Sequence, residues 1–405
     1  MSVRLVLGLG GTVDFEIVWD SAVFEQLIEE YRIGPADLGT DVAIVDERTL
    51  VITILAFLEL GAGGERFIAS SGIVHRFAAR FDTRVTLGGT GVRAGIAMDS
   101  LGVPTVQHLV SIDDNVRRLL PPSMRWISSA HEDTLDPHLI IQFTQGSRVR
   151  AGDIDIVAPA ANRLIVANDP PNREMRLSPD LTAELATADA FLISGFNTMT
   201  DAALLDARLE ELVAAMEALP PDALVFYEEA GFYVDAFRER VRDAIVDRVD
   251  IYSMNEDELE EYVGRRVDLL DPDAVAAAVT DVRQTVAAPT LVVHTRHWAL
   301  AVGPRAGAFT EALRGAVTMA ATRYRSGDGH TAAHYVETSS LPLQPDAVTF
   351  SAAVEQRLQD AVCVAAFELD AQHATTVGLG DTFVGGFLAA WSESGPSERP
   401  LRHTR

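Results

Sequence analysis

Six short apolar runs constrain this chain more than any other feature: RLVLGLG (4–10), TVQHLVSI (105–112), AFLISGF (190–196), ALVFYEE (223–229), VDIYSMNE (249–256) and TLVVHTR (290–296). Each is continuous in Val, Ile and Leu instead of alternating, which is how strands buried on both faces of a parallel sheet read. Amphipathic stretches lie between them, such as 201-DAALLDARLEELVAAMEAL-219 and 233-YVDAFRERVRDAIVDRV-249, with Asp201 and Asp235 placed as first-turn charges. Strand and helix in alternation predict an α/β fold, a doubly wound sheet with helices on both faces. Ligands of such a sheet bind beyond the carboxyl ends of its strands.

Two regions break the rhythm. Residues about 14–84 carry mixed signals and two glycine clusters, and residues about 136–167 read as extended segments, HLIIQFTQG and DIDIVAPAANRLIVA, joined by a polar turn. We expect both to form one smaller, discontinuous α/β lid, with 1–13, 85–135 and 168–405 forming the large domain. The tail 393-ESGPSERPLRHTR-405 is polar and predicts a frayed end.

Composition narrows the partners. With 405 residues, 48% of them hydrophobic, a sizeable core is available without metal or disulfide staples. A formal charge of −26 argues against nucleic acid and anionic membrane surfaces. All 33 basic residues are arginine, so a phosphate clamp must use arginine forks, backbone N–H groups or a cation. The single cysteine, Cys363, excludes an intramolecular disulfide and suits a reducing compartment. The apolar starts of 1–11 and 50–60 are too short for a secretory leader or a bilayer span, which makes a cytoplasmic location the expectation.

The chemistry gathers at strand ends and glycine turns. In 376-TVGLGDTFVGGFLAAW-391, Gly378 and Gly380 let a turn bare its N–H groups to an anion, and the helix that follows adds its positive end. Asp381 beside such a cradle suits a base that takes a hydroxyl proton during phosphoryl transfer; the plain alternative is a helix cap. In 251-IYSMNEDELEEYVG-264, Asn255 and Glu258 share a helix face and suit a hydrated Mg2+ beside a diphosphate, or a capping box, or both. Glu228 ends a strand and faces the ligand crevice. Asp14, after the first strand and its glycines, suits bidentate hydrogen bonds to vicinal sugar hydroxyls. His294 and Arg296 are expected to alternate on one strand face, with Trp298 following; a surface hairpin is the alternative.

TVGLGDT resembles the signature of the ribokinase-like sugar kinases, and in this form the ADP-dependent glucokinases and phosphofructokinases. The resemblance implies a ribokinase-like fold and Mg2+ with ADP as phosphoryl donor. It places the anion hole on Gly378, Leu379 and Gly380, and the base on Asp381. Asn255 and Glu258 match the family's Asn-x-x-Glu motif, which organises metal and phosphates. Aligned on Ala230, Glu228 falls on the glutamate of a His-x-Glu-x-Ala motif, with Phe226 in the histidine's place. The segment TLVVHTR is similar to a strand end near the nucleotide, implicating His294 and Arg296, and Arg163 matches an Asn-Arg segment that meets a phosphate. On the acceptor side the resemblance implicates Asp14, Gly88, Gly89 and Glu65. Thr12 stands where the family's Asn-x-Asp motif has its asparagine. A phosphorylated acceptor would need arginines, for which Arg93, Arg163 and Arg173 are candidates.

Other readings fit less well. GLGG at 8–11 lacks the third glycine of a dinucleotide fingerprint, since position 13 is Val13, and no acidic residue follows at the required distance. The histidines are scattered without a hydrolase motif. An ATP-dependent kinase of the same superfamily shares the GxGD string, but chain length and the placement of NEDE favour the ADP class. A non-catalytic sugar-binding descendant is motivated by Thr12 and Phe226, and opposed by the retained Asp381.

Overall fold

The computed structural model describes residues 3–369 and 377–393. Thr376 of the glycine motif and the tail beyond Glu393 lie outside the described residues. Each of the six apolar runs forms a strand, and with three more they build a nine-stranded sheet. Its order is Ala361–Ala365, Trp298–Val302, Thr290–His294, Ile251–Asn255, Leu224–Glu228, Ala190–Ile193, Leu5–Leu7, Thr105–Leu109 and Met124–Ser128. Trp298–Val302 runs antiparallel to both neighbours, and every other neighbouring pair is parallel.

Successive side chains on these strands feed different cores, as a sheet covered on both faces requires. Val6, Phe191, Val225 and Tyr227 point into one core, with Leu205, Leu209, Phe237 and Val241 of the helices Ala202–Met216 and Ala236–Ile245. Leu5, Leu7, Leu192 and Phe226 point into the other, with Leu313, Ala316, Phe383 and Phe387 of the helices Thr310–Ser326 and Leu379–Glu393. Asp201 caps its helix by accepting from Leu204 N, whereas Asp235 makes no capping bond.

The chain leaves the central strand Leu5–Leu7 through the first glycine loop and enters a second sheet. Asn172 and Gln107 hold that loop by donating to the carbonyls of Gly11 and Gly10. The second sheet has five strands in the order Gly64–Phe67, Asn162–Ala167, His138–Phe143, Thr12–Ile17 and Thr83–Gly88. The boundaries expected at 13/14 and 84/85 therefore fall inside paired strands, because the alternation of Thr12–Ile17 and Thr83–Gly88 continues unbroken across them. Ile17, Leu139, Ile141, Phe143, Leu164 and Val166 pack against the helices Ser21–Tyr31, Glu47–Leu60 and Ser71–Ala78. The apolar run at 50–60 is thus a buried helix. By register, the opposite face carries Thr12, Asp14 and Glu16, with Thr86, His138, Arg163 and Glu65. One dry face and one polar face give the period-two pattern of a half-covered sheet.

Candidate active site

A cleft of about 880 Å3 lies between that polar face and the carboxyl ends of the nine-stranded sheet. Asp14, Glu65, Gly89, Arg163, Glu228, Asn255, Glu258, His294, Arg296 and the run Gly378, Leu379, Gly380, Asp381 all line it. Gly88 stands directly behind Asp14: a Cβ there would come within 2.3 Å of Thr12 Oγ1 and 2.4 Å of Asp14 Oδ2.

On the side of the five-stranded sheet, Asp14 is buried and held at both oxygens. Thr12 Oγ1 donates to Oδ1 at 2.7 Å, and Arg93 Nη2 donates to Oδ2 at 2.8 Å. Thr12 therefore orients the carboxylate. Nearby, His138 Nε2 lies 3.2 Å from Asp169 Oδ2, and Asn172 Nδ2 donates to the same oxygen at 2.7 Å. Burial opposes a charge on His138, but Asp169 outweighs it and raises the imidazole above its ordinary value. Tyr233 is another residue of the cleft wall, its phenol raised by burial and by the charge of Glu65. Of the candidate arginines, Arg163 lines the cleft, Arg93 is tied to Asp14, and Arg173 instead stands over the Phe67 ring at 5.2 Å.

The second glycine turn meets this wall from the opposite side. Gly378 has φ +70°, a left-handed conformation that favours glycine, and Asp381 lies in the first turn of the helix Leu379–Glu393. That helix is wedged between two others by small residues: a Cβ on Gly386 would fall 2.5 Å from Gly315 O, and one on Gly385 would fall 2.6 Å from Ala94 O. Such close contact fixes the helix start, and with it Asp381, relative to the helix Thr90–Asp99 that opens at Gly89. Behind the turn, Arg323 Nε donates to Val377 O at 2.8 Å.

Strand ends supply the third wall. Glu228 Oε1 pairs with His294 Nε2 at 2.8 Å, while Glu228 Oε2 is buried without a partner among the described residues. A Cβ on Gly380 would lie 3.3 Å from His294 Cε1, so this pair abuts the glycine turn. Asn255 and Glu258 form a reciprocal capping box at the start of the helix Glu256–Val263. Burial, reinforced by Glu228, pushes the Glu258 carboxyl well above the usual carboxylate range. Glu229 is pushed up to about 7 by burial, against a stabilising hydrogen bond from Tyr252. Glu228 and Glu258 both line the cleft, and a carboxylate with an orphaned oxygen there fits a cation. No group of three or more His, Cys, Asp or Glu converges as a metal cage among the described residues.

Arg296 corrects one expectation. The strand ends at His294, and Arg296 occupies the turn closed by Thr295 Oγ1, which accepts from His297 N and Trp298 N. The period-two pattern stops there because Trp298 belongs to the returning strand. It is buried, stacks on Phe350 at 5.1 Å and donates its indole N–H to Leu269 O. His138, Asp169, Asn172 and Tyr233 were not singled out from the sequence. The signal for His138 was its place opposite Asp14 on the polar face, which becomes visible only once the strand register is known.

Comparison with known proteins agrees with this architecture. A crystal structure described as a hypothetical ADP-dependent phosphofructokinase from Pyrococcus horikoshii OT3 superposes with a TM-score of 0.76 at 18% identity, over 97% of this chain and 98% of that one. A structure described as the last common ancestor of ADP-dependent phosphofructokinases from Methanosarcinales gives 0.74 at 14% identity, over 100% and 95%. An ADP-dependent kinase complexed with fructose-6-phosphate and ADPβS gives 0.71 at 13% identity, over 96% and 94%. No curated protein sequence matches significantly. The fold is thus that of the ADP-dependent phosphofructokinases. The conserved region of the ADP-specific phosphofructokinase/glucokinase family matches residues 3–389, and the chain belongs to that family. By family it is an ADP-dependent sugar kinase. No helix among the described residues is long and apolar enough to cross a membrane.

Proposed function

We propose that this protein transfers the β-phosphoryl group of Mg2+-bound ADP to a hydroxyl of a neutral hexose, glucose above all. The observation that carries the reading is the opposition of Asp14 and Asp381 across one cleft, bridged by Arg93 and flanked by the Gly378–Gly380 turn. Asp14 orients the sugar hydroxyls. Asp381 accepts the proton of the attacking hydroxyl. The backbone amides of the glycine turn and the helix N-terminus receive the charge that develops on the moving phosphoryl group. Glu228 and Glu258, through Asn255, would hold the metal, whose chemistry is to neutralise the diphosphate oxygens. His294 and Arg296 face the nucleotide. The smaller sheet and its helices act as a lid that excludes water, the competing acceptor.

A neutral acceptor is favoured because the acceptor wall presents Asp14 and Glu65, while His138 is paired with Asp169 and Arg93 is held by Asp14 through Nη2. Arg163 favours fructose 6-phosphate as the second reading: it lines the cleft with no carboxylate partner among the described residues. The test is a matrix of ADP, ATP and pyrophosphate against glucose, fructose 6-phosphate and ribose, with and without Mg2+, reading AMP and sugar phosphate. Transfer from ADP to glucose is expected. Transfer to fructose 6-phosphate alone selects the second reading, and sugar binding without any transfer defeats both.

A further inference from the structure

Arg93 is the charged group of the cleft that the roles above leave without a task of its own. It projects from the helix Thr90–Asp99 and is only 4% exposed. Its Nη2 is committed to Asp14 at 2.8 Å, and its Nε stands 3.8 Å from Asp381 Oδ2. Its Nη1 is buried and has no hydrogen-bond partner among the described residues. That nitrogen is also the atom nearest to a Cβ built on Gly378, at 2.7 Å. The guanidinium is therefore fixed at one edge by the acceptor clamp and near the other by the base, with its remaining N–H pair turned to the first glycine of the anion hole.

A structural ion pair explains two of the three nitrogens. It does not explain Nη1, since a buried guanidinium N–H without an acceptor is costly to keep. The geometry supplies its acceptor only when the cleft is filled. An acceptor hydroxyl held by Asp14 and facing Asp381 must receive the phosphoryl group beside Gly378, where Nη1 waits. The chain has no lysine, so a side-chain cation at this point can only be an arginine.

We propose that Arg93 Nη1 donates a hydrogen bond to an equatorial oxygen of the phosphoryl group in flight, making Arg93 a catalytic arginine supplied in cis. The proposal rests on reading the cleft as a phosphoryl-transfer site. In the step, the bond from the β-phosphorus to its bridging oxygen breaks and the electron pair leaves with AMP. A new bond forms from the acceptor oxygen to phosphorus, and the acceptor proton passes to Asp381. Arg93 gains charge to stabilise only as the three equatorial oxygens spread it, so its contribution belongs to the transition state. Arg323, by holding Val377 O at 2.8 Å, keeps the glycine turn in register with it.

The test compares Arg93→Lys and Arg93→Ala with the unmodified protein in two reactions, hexose phosphorylation and the slow hydrolysis of ADP to AMP without sugar. Loss of about a hundredfold or more in kcat for both reactions is expected, with the KM for ADP nearly unchanged. Guanidinium ion should restore part of the rate to Arg93→Ala. A rise confined to the sugar KM, with ADP hydrolysis intact, would make Arg93 a positioning residue for Asp14 and overturn the proposal. Should the variants fail to fold, the unmodified protein decides: crystals with AMP, hexose and aluminium fluoride should place the fluoride within hydrogen-bond distance of Nη1, and a guanidinium turned away refutes the idea. A wild-type protein that transfers nothing from ADP removes the functional reading, and this inference with it. An active wild type whose Arg93→Lys variant keeps its kcat overturns this inference alone.

Discussion

Replacing Asp381 by asparagine separates its chemistry from its structural place. The side chain is 24% exposed, and its ion-pair partner among the described residues is Arg93, at 3.8 Å. Asparagine has the same shape, and Arg93 keeps its closer partner Asp14 at 2.8 Å, so no buried charge is stranded. The loss of a negative charge in the first helical turn costs about 0.3–1 kcal/mol. Against that small structural term, a positioned general base is worth roughly 10^2 to 10^4 in rate. At about 1.4 kcal/mol per tenfold, this raises the barrier by about 3–5 kcal/mol. The expected outcome is a variant that melts within a few degrees of the wild type, binds ADP as tightly by calorimetry, and forms sugar phosphate at well under a few per cent of the normal rate. Turnover above that level would show that the proton has another acceptor and that Asp381 is not the base. Lost ADP affinity in a folded variant would instead place Asp381 among the nucleotide contacts.

Three further perturbations probe the three walls. Gly88→Ala puts a methyl group 2.4 Å from Asp14 Oδ2, so the sugar KM should rise tenfold or more, as roughly estimated from a displaced binding carboxylate, while ADP affinity by calorimetry stays unchanged. His138, raised by Asp169, Asp14 and Glu65 against its burial, contributes stability that is complete below its ordinary value and lost as pH rises through the folded one. Melting temperature should therefore fall as pH rises above the ordinary imidazole value, and the slope should be shallower in His138→Gln; equal slopes would refute the linkage. Mg2+ should raise the melting temperature of the wild type and do so less in Glu228→Gln, because the orphaned Oε2 loses its charge. An identical Mg2+ response in both proteins moves the metal elsewhere.

How far the sequence reaches depends on how local each interaction is. The strands were readable because continuous Val, Ile and Leu over a few residues has one economical fate in a covered sheet. The rule that ligands collect at carboxyl ends then singled out Glu228, Asn255 and His294. Asp381 was readable because its glycines and its helix are adjacent in the chain. Arg93 was readable only as an arginine: its partner Asp14 is 79 residues away, and the pairing exists only because two sheets meet. The pairing of His138 with Asp169 spans 31 residues and depends on the same meeting. The expected alternation of His294, Arg296 and Trp298 on one strand failed for the opposite reason. Local alternation continued on paper, but the demand of Trp298 for a buried slot and an acceptor at Leu269 O turned the strand back.

Phe226 shows how a departure from a family pattern can be read once geometry is available. Its neighbours two residues away on either side, Leu224 and Glu228, share its face of the strand, but position 226 lies one step deeper. There the ring is fully buried and meets Phe387 edge-on at 5.1 Å. A histidine at that depth would need a polar partner, and the surrounding cluster of Leu192, Phe309, Phe383 and Phe387 is apolar. The imidazole that touches Glu228 comes instead from His294, two strands across, stacked on Phe383 at 4.4 Å. The carboxylate at the strand end thus has a histidine partner although none stands on its own strand. Phe226 is then a matter of core packing beneath the cleft, and the pairing of Glu228 with His294 above it does not depend on a histidine at 226.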